Sequence, residues 1–159
     1  MSPGRKNKAA RPIIGWREWV GLPELGIDML KVKVDTGART SALHAFDVEF
    51  FECGGRQLVR FKVHPVQRNK TQVVECEAEV VDERGVRNSG GGREVRPVIR
   101  TELELMGRRL AVDITLTNRD AMGYRMLLGR EALRRRFVVD AGRSYLAGKP
   151  DAGQLSLIA

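Results

Sequence analysis

Cysteine, histidine and aromatic residues are scarce in this chain, and acidic residues are outnumbered by basic ones. Two cysteines in 159 residues, Cys53 and Cys76, cannot build the disulfide framework of a small secreted domain, and they are read as free thiols. The two histidines, His44 and His64, form no His-Glu-x-x-His and share no paired spacing with the cysteines, so zinc has no ligand set. ATP has no phosphate loop. The nearest candidate, Gly142 to Lys149, has one residue too many between its glycines, and Pro150 stands where Ser or Thr should follow the lysine. Aromatics make up 6% of the chain, which is poor for stacking single strands, and no nucleic-acid-binding motif is present. No apolar run is long enough to span a membrane. Met1 to Ala10 is basic and polar without an apolar stretch, so the expectation is a cytoplasmic protein with no signal peptide.

What is present fits one domain with an ordinary core: 42% of residues are hydrophobic. The net charge of +8 favours acidic partners such as nucleic acid, a ribosome surface or an acidic peptide. It is equally the solubilising charge of an ordinary surface. Arg134-Arg135-Arg136 reads as a solvated helix face, which leaves nucleic acid a weak candidate partner.

The pattern along the chain is that of short strands. Residues 1–12 form a basic arm, 13–147 the folded domain and 148–159 a tail. Ile13 to Val20 reads as a first strand ended by Gly21 and Pro23. Leu30, Val32 and Val34 alternate with Lys31 and Lys33. Phe46 to Phe50, Leu58 to Val63, Cys76 to Val80 and Val98 to Leu105 continue the series. Leu110 to Thr117 alternates strictly and is the clearest half-buried strand. Glu131 to Phe137 is the only good helix candidate, and Val138-Val139 and Tyr145-Leu146 read as terminal strands. Trp16 and Trp19, three apart, are expected on opposite faces of the first strand. The fold class is therefore all-β, a small barrel or sandwich with one short helix near the C-terminus.

The strand Leu30–Val34 delivers Asp35-Thr36-Gly37 into a tight turn. Two carboxylates held a few ångströms apart share one proton. The ionised one can deprotonate a water while the protonated one donates to a scissile carbonyl oxygen. Gly37 lets two backbones approach, and the Thr36 hydroxyl can bond backbone across a two-fold axis. The chain has one such turn and no internal repeat, so this chemistry requires a homodimer that contributes one Asp35 from each subunit. The tripeptide alone is weak, arising by chance in roughly one chain in twenty of this length.

Its companions strengthen it. A glycine cluster, Asn88-Ser89-Gly90-Gly91-Gly92, follows, and then Leu127-Leu128-Gly129-Arg130 leads into Glu131-Ala132-Leu133. In this order the chain resembles the retropepsin-like aspartic proteases. It is most similar to a bacterial branch labelled an ATP-dependent zinc protease. The stretches that carry the resemblance are Ile14–Glu18, Val34–Ala45, Arg96–Ile99, Leu116–Arg119 and Met126–Arg130. It implies a retropepsin-like barrel over 13–147, with Asp35 catalytic, Thr36 and Gly37 shaping the turn, and Gly129 and Arg130 supporting it. Ala38, Arg39 and residues 88–92, the flap, would meet substrate. It also implies an association with an ATP-grasp ligase that adds glutamates to a ribosomal protein, and hence a glutamate-rich or ribosomal-protein tail as substrate. The second reading is a non-catalytic module that holds such an acidic partner in the same fold. One departure stands out. Arg39 occupies a position that is acidic in viral retropepsins, where the acid pairs with the Gly-Arg arginine. Arg39 and Arg130 need an acid between them, from Glu131, Asp113 or Glu18, unless Arg39 points to solvent. The exchange makes the surroundings of Asp35 more positive and favours acidic substrate side chains.

Overall fold

The computed structural model describes residues 11–66, 71–87, 90–118 and 123–149. Its elements are β1 (Ile13–Gly15), β2 (Arg17–Leu22), a 3-10 turn (Pro23–Leu25), β3 (Ile27–Asp35), β4 (Ser41–His44), β5 (Phe46–Cys53), β6 (Arg56–Val63), β7 (Val74–Arg87), β8 (Arg93–Leu105), β9 (Arg108–Thr117), β10 (Met126–Gly129), α1 (Arg130–Leu133) and β11 (Val138–Asp140). The main sheet runs β2-β3-β10-β4-β9-β8-β7-β6-β5, and Gly21 of β2 pairs with Glu104 of β8. That contact closes β2, β3, β10, β4, β9 and β8 into a barrel, from which β7, β6 and β5 continue as an extension. Closure removes the open edges that a flat sheet would expose. β1 and β11 form a separate two-stranded parallel sheet, with Ile13 opposite Val138.

The period-two pattern of the sequence is the burial pattern of the barrel. Leu30, Val32 and Val34 of β3, Leu103 and Leu105 of β8, Val112, Ile114 and Leu116 of β9, and Met126 and Leu128 of β10 are all buried in one cluster. Each such side chain contributes roughly 1.5–3 kcal/mol when fully buried. The fold is the all-β, retropepsin-like barrel that the sequence implied, with one short α-helix among the described residues.

Several local expectations are corrected. The first strand is split at Trp16, where the backbone N–H turns to bond Arg143 O at 2.9 Å. With Trp16 outside β2, the alternation rule does not separate the tryptophans. The Arg17 guanidinium lies over both Trp16 and Tyr145, and Trp19 packs beside the same Tyr145. The helix stops at Leu133 instead of running to Phe137. Arg134 leaves helical geometry and Arg135 takes a positive φ of 67°, which turns the chain back so that Phe137 reaches the core. Burial of one aromatic overrides the helix propensity of three arginines, and these lie on a turn, not a helix face. Tyr145-Leu146 is not a strand. Tyr145 has a φ of 56°, and the next two N–H groups are given to a side chain, as described below.

Both thiols are free, Cys53 exposed and Cys76 buried. Burial, with a smaller contribution from the charge of Glu75, pushes the Cys76 thiol up to about 12. Iodoacetamide at about pH 8 should therefore modify Cys53 and spare Cys76, because only thiolate reacts. Because the folded value lies above the ordinary 9.0, the contribution of Cys76 to stability is complete below that pH. It is lost as the pH rises toward about 12. Intact-protein mass spectrometry checks the labelling; two adducts on native protein would contradict the buried placement.

Candidate active site

Asp35 is the last residue of β3. Alternation places it on the face of Lys31 and Lys33, opposite the buried Leu30, Val32 and Val34. The core thus grips the strand while the carboxylate points away from it, half-buried. Thr36 and Gly37 are exposed, and Ala38 is half-buried. The turn is closed by the Gly37 N–H on Asp35 Oδ1 at 3.0 Å and the Ala38 N–H on Asp35 O at 3.2 Å. The first of these bonds fixes the carboxylate rotamer. A Cβ on Gly37 would stand 3.3 Å from the same Oδ1, so a side chain there presses on the carboxylate.

The turn is seated on β10, which threads between the two strands that the turn connects. β10 runs parallel to β3, with Leu128 opposite Val34 and Gly129 opposite Asp35. It runs antiparallel to β4, with Met126 opposite Leu43. Gly129 is required by close approach: a Cβ would lie 2.5 Å from the carbonyl carbon and oxygen of Thr40. The buried Ser41 hydroxyl accepts the Gly129 N–H at 3.0 Å. The next two N–H groups, of Arg130 and Glu131, bond to Ala38 O at 2.8 Å and Arg39 O at 3.1 Å. The Arg130 guanidinium donates to Gly37 O at 3.3 Å. The Leu-Leu-Gly-Arg element is therefore a cradle that satisfies the carbonyls of the aspartate turn.

The acid that partners Arg39 is Glu131, with Nε 2.8 Å from Oε1, both side chains at least half exposed. The hydrogen bond to Glu131, and then its charge, hold the Arg39 guanidinium above its ordinary value. Of the other two candidates, Asp113 is taken by Arg100, at 2.7 and 3.2 Å. Glu18 is fully buried and accepts the N–H groups of Gly15, Leu146 and Ala147. The positive charge expected from Arg39 beside Asp35 is thus largely balanced by Glu131.

The structure gathers Asp35, Thr36, Gly37, Ala38, Arg39, Gly129 and Arg130 in one place. Gly90, Gly91 and Gly92 sit on a separate element, the tip of the β7–β8 hairpin, where Gly91 has a φ of 83°. Asn88 and Ser89 lie outside the described residues. Sequence reasoning missed the part of Ser41, whose buried hydroxyl holds the Gly129 N–H. Among the described residues no three His, Cys, Asp or Glu side chains gather as metal ligands would. None of the described helices is long and apolar enough to cross a membrane.

A closed barrel with one Asp-Thr-Gly turn, seated on a strand that passes between its two flanking strands, defines the retropepsin class. Within it, the chain belongs to the RimB-like family of retropepsin-like aspartic endopeptidases, whose family model matches residues 13–150. It is similar to a protein of Desulfotalea psychrophila named "Probable alpha-L-glutamate ligase", with 47% identity over 140 residues, 88% of this chain and 30% of that protein. A protein of the same name from Shewanella pealeana is 44% identical over 137 residues, 86% of this chain and 30% of its own length. The chain therefore spans about 30% of these relatives. Among solved structures, a Legionella pneumophila protein of unknown function (DUF785) superposes with a TM-score of 0.73 at 28% identity, covering 87% of this chain and 99% of its own.

Proposed function

We propose that the chain is one subunit of a homodimeric aspartic peptidase whose dyad is Asp35 and its symmetry mate. The observation that carries this is the seating of Asp35: a half-exposed carboxylate, its rotamer fixed by the Gly37 N–H, on a turn held from beneath by Gly129 and Arg130. One carboxylate of the pair takes a proton from water. The resulting hydroxide adds to the scissile carbonyl carbon, whose oxygen takes the proton of the other carboxylate. The tetrahedral intermediate then collapses, the C–N bond breaks and the amine leaves with a proton from the dyad. The glycine-tipped β7–β8 hairpin closes over the substrate. The net charge of +8, and relatives named as glutamate ligases, support a glutamate-rich segment such as a ribosomal-protein tail as substrate.

The names of the relatives favour a second reading, in which this domain binds a glutamate ligase or its acidic product without cutting it. Both readings are tested by incubating the chain with an oligoglutamate-bearing peptide, following the products by mass spectrometry and measuring the oligomeric state by sedimentation at the same concentrations. Cleavage that rises with the dimer fraction is the expected result. Tight binding without cleavage selects the binding module, and cleavage by a pure monomer overturns the dyad.

A further inference from the structure

Closure of the barrel does not extend to β5. This strand ends the sheet and, among the described residues, pairs with β6 alone. Every second residue along it therefore turns its N–H and C=O outward. Such an edge is a template for another strand, and proteins commonly blunt it with lysine, proline or a bulge. β5 has no lysine and no proline. Its irregularity is confined to Phe46–Glu49, where Asp47 takes a φ of 50°. From Glu49 opposite Arg60 to Cys53 opposite Arg56 the register is unbroken. Asp47 to Phe50, Glu52 and Cys53 are exposed.

The edge borders an apolar hollow. A cavity of about 380 Å³ lies between β5 and the first residues of β8, with Val48, Phe50 and Val95 on its lining. These side chains are 37%, 44% and 56% exposed. The β8–β9 ladder stops at Val98 opposite Thr115, which leaves Arg93 to Pro97 paired with β7 alone. A strand laid along β5 on this side covers all three apolar residues. Charge selects what that strand carries. In a chain of net charge +8, β5 bears Asp47, Glu49 and Glu52 and no basic residue. Asp47 pairs with Lys62 at 3.2 Å. Arg60, opposite Glu49, pairs with Glu77 at 3.0 Å instead, and Glu49 and Glu52 make no ion pair among the described residues. A second copy of β5 would set these acids against one another, which disfavours self-pairing, whereas a basic strand meets opposite charge.

We propose that the free edge of β5 is a docking site for an extended basic segment of another protein, which adds to the sheet as a further strand. Backbone hydrogen bonds to β5 supply affinity, and alternate side chains supply selectivity. Apolar side chains of the segment rest on Val48, Phe50 and Val95, and basic ones lie beside Glu49 and Glu52. The site belongs to the β7-β6-β5 extension and does not depend on the peptidase reading. If that reading holds, a partner with a basic body and an acidic tail is held at two separate places.

The test is fluorescence anisotropy of the full chain with a labelled hexapeptide of alternating lysine and valine. The controls are the same peptide N-methylated along its backbone and one with serine in place of lysine. Wild type should bind the lysine–valine peptide, bind the serine–valine peptide more weakly and leave the N-methylated one free. Val48→Lys places on the edge the charge that natural edges use for protection and should weaken binding of the lysine–valine peptide roughly 10-fold or more. The double variant Glu49→Lys/Glu52→Lys changes only exposed side chains, so it keeps the test readable if Val48→Lys unfolds. It should weaken the lysine–valine peptide by roughly 3- to 30-fold and leave the serine–valine peptide unchanged. The proposal is overturned if wild type binds no lysine–valine peptide, if folded edge variants bind it as wild type does, or if N-methylation makes no difference. A dimer of the free chain that Val48→Lys dissolves in sedimentation would give the edge to a second copy and overturn it equally.

Discussion

Replacing Asp35 by asparagine should lower peptide-bond cleavage by about 10²- to 10⁴-fold, the usual scale of a lost general acid–base group, and leave the melting temperature unchanged. The substitution is nearly isosteric. The side-chain oxygen can still accept the Gly37 N–H, now at 3.0 Å, and β10 still seats the turn through the Gly129 register. What is lost is the ability to carry and release a proton. The sharper form of the experiment mixes wild-type and Asp35→Asn chains after joint refolding. If each site needs one aspartate from each subunit, only wild-type pairs turn over, and an equal mixture retains about one quarter of the activity. If each chain worked alone, about one half would remain. A curve that is linear in the wild-type fraction would end the shared-dyad mechanism, even if Asp35 proved essential.

Much of this site was legible in the sequence because its determinants are local or strongly periodic. Leu30, Val32 and Val34 announced a strand that must bury one face, which forces Asp35 onto the other. Strict alternation from Leu110 to Leu116 announced β9. The features that were not legible depend on contacts between distant segments. Three acids were equal candidates for Arg39, and only the packing of α1 against the turn, across 92 positions, selects Glu131. Helix propensity said nothing of Phe137, whose burial ends α1 at Leu133. Nothing local to Ser41 points to its partner, which is the Gly129 N–H 88 residues away.

These long-range selections also change the electrostatic picture of the groove. From the sequence alone, Arg39 stood out as the basic residue beside the aspartate. In the fold, Glu131 balances it, and Arg130 is aimed at the Gly37 carbonyl.

Glu18→Ala should be among the most destabilising single substitutions in the chain, by about 3 kcal/mol or more, a fall of roughly 10 °C in melting temperature for a domain of this size. Glu18 is fully buried, and its carboxylate is surrounded by amide donors: Gly15 N–H at 2.6 Å, Leu146 N–H at 2.9 Å and Ala147 N–H at 3.0 Å. Two of these donors belong to the segment that Tyr145, with its positive φ, has turned out of strand geometry. That segment docks beside Trp16 and Arg17 through the Trp16 N–H to Arg143 O and Tyr145 N–H to Arg17 O bonds. Alanine would leave one buried and two part-buried N–H groups without their acceptor and release residues 143–147 from the first turn of the domain, so the loss exceeds that of one hydrogen bond. Glu18→Gln keeps an acceptor oxygen but sets an amide NH₂ against N–H donors, and should fall between alanine and wild type. Thermal denaturation of the three proteins checks the order. If alanine and wild type melt together, the carboxylate is not what holds the two ends of the folded domain to each other.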